Sequence, residues 1–397
     1  MNQRRTSLAS ARAATDALFG LIRPDSFYER SIPERHRLIF YLGHLEAFDW
    51  NLLCQYGLSV PPFHEEFDRL FAFGIDPGAG NLPVDKPTDW PSMEEVEKYN
   101  RRVREKVDEL LGELPDQLIC TAMEHRLMHA ETFAYLLHNL PIERKIAPAH
   151  RVPDPDNGGV RPEMVEIPAG TATMGMRRSD GFGWDNEFDR HTLEVPAFAI
   201  GKYKVTNGEY LEYVRQGGEV PLYWTRCNGE WLWHGMFGEY PLPLRWPVYA
   251  THEQACGYAL FAGKRLPSEA QFHRAAYGTA SDGERLQPWG DYGLRGNLDF
   301  ARWEPAAVDA TPEAESAFGV AQMVGNGWEW TSSVFAPFPG FEAFPFYKGY
   351  SADFFDGEHY VLKGASPRTA GALVRRSFRN WFRPSYPYVY ATFRLVT

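Results

Sequence analysis

The apolar positions of this chain fall into two textures. In the first part they recur at helical spacing, whereas further on they come in short runs punctuated by Gly and Pro. Ser7 to about Leu21 has the spacing of a helix. A second helix fits Pro33 to about Gln55, with Leu38, Ile39, Tyr41, Leu42, Leu45, Phe48 and Leu52 set around His44, Glu46 and Asp49. Proline is tolerated in a first turn, where its missing N–H costs nothing. Pro61, Pro62, Pro77, Gly78, Gly80, Pro83 and Pro87 then predict a long loop. Ser92 with Glu95 three residues on reads as a capping box, opening a third helix to about Leu111. Pro115-Asp116 opens a fourth, which has no Gly or Pro from Thr121 to Asn139. Four helices with one long crossover predict a bundle, a fold that builds metal sites from inward residues on facing helices.

The fourth helix carries His125 and His129, four residues apart and so on one face. Two imidazoles placed that way can share a metal ion. They can equally flank a core stripe of Leu127, Met128, Phe133 and Leu136, and the pair alone leaves both readings open. His44 is the natural third ligand, because it sits mid-helix among apolar residues where an uncompensated imidazole is costly. His36 and His64 lie beside charged residues or loop signals, and His138 falls on the opposite side of the helix from His129. Three neutral imidazoles leave coordination positions open, which suits catalysis better than structure. Glu131 reads as a supporting carboxylate rather than a ligand.

From His150 to Arg161 the chain is polar with Pro153, Pro155 and Gly158-Gly159, which reads as a linker. The expected organisation is therefore a bundle over 1–150, a linker over 151–162 and a second domain over 163–397. In that domain the pattern predicts one helix from His252 to about Phe261 and another from Pro267-Ser268-Glu269 to about Tyr277. The whole chain carries 12 Trp, 27 Phe and 35 Gly in 397 residues, and a domain rich in rings and glycine reads as rigid and loop-rich. A net charge of −11 with no long basic block argues against nucleic acid as a partner. No apolar run is long enough to span a membrane and the N-terminus has no signal-peptide core, so neither membrane nor export is expected. The four cysteines, Cys54, Cys120, Cys227 and Cys256, are scattered without a CxxC, which fits a cytoplasmic location.

The second half carries a series of motifs in order. They are Met164-Val165-Glu166-Ile167-Pro168-Ala169-Gly170 with Met174-Gly175, Val205-Thr206-Asn207, Ala262-Gly263-Lys264-Arg265-Leu266-Pro267-Ser268-Glu269-Ala270 and Pro288-Trp289-Gly290. Val324-Gly325-Asn326-Gly327-Trp328-Glu329-Trp330-Thr331, Leu362-Lys363-Gly364-Ala365-Ser366 and Phe393-Arg394-Leu395 complete them. Together they resemble the formylglycine-generating-enzyme-like (C-type-lectin-like) fold. The late cysteine pair of formylglycine-generating enzymes is missing, since nothing after residue 256 is Cys. With a DinB-like four-helix bundle in front, the α+β whole resembles the ergothioneine-type sulfoxide synthases and their selenoneine-synthase relatives.

That resemblance implies an Fe(II) site at His44, His125 and His129, with O2 and hercynine (trimethylhistidine) as substrates and a carbon–sulfur or carbon–selenium bond as product. It implies that Asn380 and Trp381 meet the trimethylammonium group, and that Arg101 or Arg104 grips the substrate carboxylate. Three positions depart from the pattern of γ-glutamylcysteine-using members. Met128 stands where Gln is frequent, and Phe382 and Tyr386 stand where those members carry Asp and Arg. Tyr347 is the nearest match to the tyrosine that gives up a proton. Losing a charged pair and gaining Tyr386, Tyr388 and Tyr390 leans the expectation toward a selenosugar donor. Cysteine or γ-glutamylcysteine is the alternative, and a non-catalytic binding module or a zinc-holding relative of the bundle is the alternative of another class.

Overall fold

The computed structural model describes residues 2–74, 82–149, 158–290 and 293–397. The chain divides into two compact units, Met1–His150 and Arg151–Thr397. Part of the expected long loop (75–81) and most of the expected linker (151–157) lie outside the described residues.

The first unit is helical: α1 (Asn2–Phe19), α2 (Leu38–Asp49), α3 (Glu65–Phe73), α4 (Met93–Leu110) and α5 (Asp116–His138). α1 packs on α5, and α2 sits centrally against α3, α4 and α5. The capping box at the start of α4 forms as expected: the Ser92 N–H donates to Glu95 Oε2 at 2.9 Å and the Glu95 N–H reaches back to Ser92 Oγ. Two differences from the sequence pattern matter. The second helix starts later, at Leu38, and its last turns, Trp50–Tyr56, widen to a π-helix. The expected loop contains α3, whose apolar Phe67, Leu70 and Phe71 have helical spacing. His64, set aside as a loop residue, caps this helix by accepting from the Phe67 N–H at 3.2 Å. Asp68 fastens it, taking the Phe63 N–H at 2.7 Å on one oxygen and the Tyr99 hydroxyl of α4 at 2.7 Å on the other.

A buried ionic network crosses the helical core. Arg126 of α5 donates to both Glu46 oxygens and to Asp49 at 2.8–3.0 Å, and Arg104 of α4 bridges Glu46 and Asp16. Burial alone raises the Glu46 carboxyl, but the Arg126 and Arg104 guanidiniums overcome it and hold the group at about 2. Cutting one member of such a network strands a buried charge, so a single substitution there costs far more than the intact network contributes to net stability.

The second unit is built on short strands. A four-stranded sheet runs β10 (Asn380–Phe382), β9 (Tyr360–Ala365), β8 (Gly327–Val334), β11 (Ala391–Thr392), antiparallel except for the β8–β11 pair. Around it lie the pairs β1 (Met164–Ile167) with β4 (Phe198–Gly201) and β2 (Gly170–Met174) with β3 (His191–Val195), and the meander β5 (Trp224–Cys227), β6 (Glu230–His234), β7 (Glu239–Pro241). α6 (Asn207–Arg215), α7 (His252–Phe261), α8 (Glu269–Tyr277) and the short α9 (Gly349–Ala352) complete it. α7 and α8 fall where the periodicity puts them, whereas α6 was hidden in a short polar stretch opened by a Thr206–Glu209 capping box. Ile167, Met174, Ile200, Phe272, Met323 and Val396 share one core.

Several of the sequence motifs are explained by packing. Glu329 is fully buried and takes the Lys204 amine at 2.6 Å and the Arg394 guanidinium at 2.6 and 2.8 Å, which ties two of the motifs to the residue just before a third. Gly364 has a positive φ of 93°, and a Cβ there would lie 2.7 Å from the Met323 carbonyl, so β9 can approach that loop only as glycine. The chain is thus α+β, a helical region followed by a mixed, strand-rich one. Among the described residues no helix is long and apolar enough to cross a membrane.

Candidate metal centre and aromatic face

His44 on α2 and His125 and His129 on α5 bring one ring nitrogen each to within 4.8 Å of one another. Among the described residues this is the one such group of three or more His, Cys, Asp or Glu. The helix spacing accounts for the α5 pair, whose ring centroids are 4.5 Å apart, and the α2–α5 contact supplies His44 at 4.8 and 5.2 Å. Burial lowers the basicity of all three, His44 to about 4 and the other two well below the ordinary imidazole value. They are therefore neutral near pH 7, the form in which imidazole binds metals.

The rings are held from outside the cluster. His44 Nδ1 lies 2.7 Å from the Phe71 carbonyl, which can only accept, so Nδ1 carries the proton and Nε2 is the nitrogen left for an ion. That carbonyl belongs to α3, the helix missing from the sequence pattern. Its approach needs Gly43: a Cβ there would lie 2.5 Å from the buried Phe71 ring. Phe48 stacks on His125 at 3.4 Å and 10°, and Phe40 on His44 at 4.9 Å and 25°. Neutral, oriented nitrogen donors with no carboxylate or thiolate among them suit a divalent transition metal with positions left open. Sequence reasoning missed Phe71, Phe48 and Gly43. Phe48 lies four residues after His44, a signal that helical spacing offers, but Phe71 is far along the chain.

Other expected residues have different fates. Met128 is half-buried between the two α5 histidines in sequence. Arg101 is exposed on α4. Arg104 is committed: its fork is filled by Asp16 and Glu46 at 2.7–2.8 Å, which leaves it no face for a substrate carboxylate.

In the second unit, Asn380 and Trp381 lie on the edge strand β10. Trp381 is half-buried and lies parallel to Phe335 at 4.2 Å and 6°, with Tyr350 edge-on at 5.4 Å and Phe354 at 5.7 Å. Tyr347 is 5.3 Å from Tyr350, and burial raises its hydroxyl above the usual range. Phe382 and Tyr386 stack at 5.1 Å and 8°, and Tyr388 meets Tyr386 at 5.2 Å. Tyr390 is a correction to the expected tyrosine pocket: it is buried between Tyr223 and Tyr249, as core. Phe335, Tyr350 and Phe354 were missed, because no spacing links them to Trp381.

Residues 149–397 match the family described as the sulfatase-modifying factor enzyme 1-like domain. The chain is 33% identical over 373 residues to a hercynine oxygenase of Mycolicibacterium thermoresistibile, covering 86% of this chain and 81% of that one. It is 31% identical over 394 residues to the hercynine oxygenase of Mycolicibacterium smegmatis, covering 90% of each. Ergothioneine biosynthesis protein 1 of Neurospora crassa is 26% identical over 95% of this chain, which spans only 55% of that fungal protein. The chain belongs to the ergothioneine-type sulfoxide synthase family, enzymes that include the hercynine oxygenases, with its sulfatase-modifying-factor-like domain in the second unit.

Proposed function

We propose that the protein is an Fe(II)- and O2-dependent enzyme that joins the sulfur of a thiol donor to the imidazole of hercynine. The observation that carries this is the convergence of three neutral imidazoles in a chain of hercynine-oxygenase kinship. Iron, when bound by His44, His125 and His129, supplies the redox chemistry and the open positions that O2 and a sulfur donor need. The protein's own contribution is order. The Phe71 carbonyl fixes the His44 tautomer, and the Phe40 and Phe48 rings fix the tilt of the imidazoles.

In the second unit, Trp381 offers an aromatic face to the trimethylammonium group, and Asn380 sits beside it on the same strand. Asn380 Oδ1 accepts the backbone N–H of Trp381 at 2.9 Å, and its amide nitrogen is the donor assigned to the substrate. Tyr347 is the group assigned to hold a proton and give it up, and burial keeps its hydroxyl protonated near neutral pH. Arg101 is the remaining arginine assigned to the substrate carboxylate. Met128 lies next to His129 on α5, and its thioether is a weaker acceptor for an imidazole N–H than a glutamine amide. Cys54, Cys120, Cys227 and Cys256 form no disulfide, which suits a reducing, cytoplasmic setting.

The donor assigned is cysteine or γ-glutamylcysteine, since the relatives are named for hercynine and ergothioneine. The selenosugar reading keeps one favourable observation, the uncharged stack of Phe382 on Tyr386 where γ-glutamylcysteine-using members carry a charged pair. It loses Tyr390, which is core. Protein loaded with Fe(II) under anaerobic conditions, then given hercynine, O2 and a single donor, decides between them by mass spectrometry. A hercynyl sulfoxide from cysteine or γ-glutamylcysteine is expected. Product from a selenosugar alone reverses the donor assignment, and no adduct from any donor with iron bound rejects hercynine.

A further inference from the structure

The run Arg375-Arg376-Ser377-Phe378-Arg379-Asn380-Trp381 leads into β10 and holds three arginines, each matched to a glutamate from elsewhere in the unit. Arg375 pairs with Glu187, Arg376 with Glu284 and Arg379 with Glu269 at the start of α8. The last pair is the one that reaches toward Trp381. Arg379 and Glu269 are 3% and 5% exposed. Arg379 Nε and Nη2 donate to the two Glu269 oxygens at 3.0 and 3.2 Å, and Nη1 donates to the Ala336 carbonyl at 3.0 Å. The same guanidinium lies over the rings of Phe335 at 4.9 Å and Phe338 at 4.1 Å. Phe335 is the ring on which Trp381 stacks. Glu269 is itself fixed, its N–H donating to Ser333 Oγ at 2.9 Å.

One side chain therefore joins α8, the segment that carries Phe335, and the strand that carries Asn380 and Trp381. A buried ion pair is weak evidence for stability, because a well-packed apolar replacement serves as well. What arginine adds here is geometry. Its rigid fork has donors enough for a bidentate carboxylate and a third partner at once, while its flat face packs on rings. Lysine keeps the charge and loses the rest.

We propose that Arg379, oriented by Glu269, is a positioning residue that sets the tilt and depth of Trp381 against Phe335, and so tunes affinity for the quaternary ammonium of the substrate. This rests on the reading that Trp381 meets that group. Attraction of a cation to a ring requires the cation over the face within ~6 Å, so a ring free to rock loses it.

The test compares wild type, Arg379→Lys, Glu269→Gln and Trp381→Leu as full-length chains. Hercynine affinity is read on metal-free protein by calorimetry, kcat and KM on iron-loaded protein, and amide exchange on the peptide spanning 379–390. Arg379→Lys is expected to weaken hercynine binding and raise KM about tenfold with kcat within about twofold, as loosening of a supporting shell does. Exchange across 379–390 is expected to rise, with Glu269→Gln intermediate. A lowered Tm with unchanged hercynine affinity and KM in both variants overturns the inference and leaves the pair as scaffold. Wild-type affinity in Trp381→Leu rejects the underlying reading, and the inference with it. Should Arg379→Lys fail to fold, Glu269→Gln, which keeps shape and a hydrogen-bond acceptor, decides by the same readouts.

Discussion

The two candidate sites are built in opposite ways. The candidate metal centre takes three identical side chains from two helices and lets helix geometry bring them together. The aromatic face takes Trp381, Phe335, Tyr350 and Phe354 from an edge strand and irregular segments, and relies on buried ion pairs to hold them. A site of the first kind is close to all-or-nothing, because each ligand is irreplaceable. A site of the second kind is graded, because several rings share one surface. Substitutions in the two units should therefore differ in the shape of their effect as well as its size.

The largest effect is expected at the metal centre. His125→Ala removes one of three donors and leaves a small cavity beside Phe48. Iron content per chain should fall to near zero and hercynine-dependent activity by about three orders of magnitude or more, since the metal's chemistry is lost outright. Metal analysis of the purified protein, with the thermal midpoint as a control for folding, checks this. Retained iron at wild-type stoichiometry would move the site away from these three histidines.

Next comes Gly43→Ala. It touches no ligand, but its methyl would meet the Phe71 ring at 2.5 Å. Phe71 is fully buried, so α3 has to shift and carry its carbonyl away from His44 Nδ1. Loss of an orienting contact of that type costs about 10- to 100-fold in metal affinity. Competition with a chelator measures it. If affinity is unchanged, the carbonyl contact does not set the His44 tautomer.

On the aromatic face, Trp381→Phe keeps a ring on Phe335 and Trp381→Leu removes it. The expected loss in hercynine affinity is graded, within about threefold for Phe and about tenfold for Leu, in keeping with roughly 1–2 kcal/mol for a cation over an indole. An abrupt loss in both would make this site as unforgiving as the metal centre and erase the contrast.

The same contrast decides what could be read from the sequence. His125 and His129 were legible because a helix turns residue number into direction, so spacing alone puts two rings on one face, and His44 because an imidazole mid-helix among apolar residues needs a partner. α7 and α8 were legible through helical spacing too. α3 was hidden because it is short and sits between prolines, which outweigh nine residues of periodicity. With it went the Phe71 carbonyl, a backbone group that no side-chain pattern reports. In the second unit the resemblance marked Asn380 and Trp381, but Phe335 and Tyr350 reach Trp381 through irregular chain, where sequence distance carries no direction. Arg104 misled because an arginine suited to a substrate carboxylate is equally suited to Glu46 and Asp16. Tyr390 misled because alternation along a non-strand segment does not say which side is core.

The smallest expected effect concerns acid stability of the second unit. His252 sits on α7, 6% exposed, stacked on Tyr360 at 3.9 Å. Its Nε2 lies 3.1 Å from the Thr331 carbonyl, so that nitrogen carries the proton, while the Cys256 thiol lies 3.7 Å from Nδ1. Burial lowers its pKa to about 4 despite the Thr331 contact. A base whose folded pKa lies below its unfolded value of about 6.5 binds more protons when unfolded, so stability falls as pH falls through that window. The contribution is fully present above about 6.5 and exhausted near 4, and the gap bounds it at about 3 kcal/mol. Denaturant midpoints followed by tryptophan emission report this unit, since all 12 tryptophans except Trp50 and Trp90 lie in it. His252→Gln keeps a donor for Thr331 and cannot titrate, so its midpoint should fall less than wild type between pH 6.5 and 4.5. Parallel acid limbs in the two proteins would shift the sensitivity to His273, which is likewise buried and held well below the ordinary imidazole range.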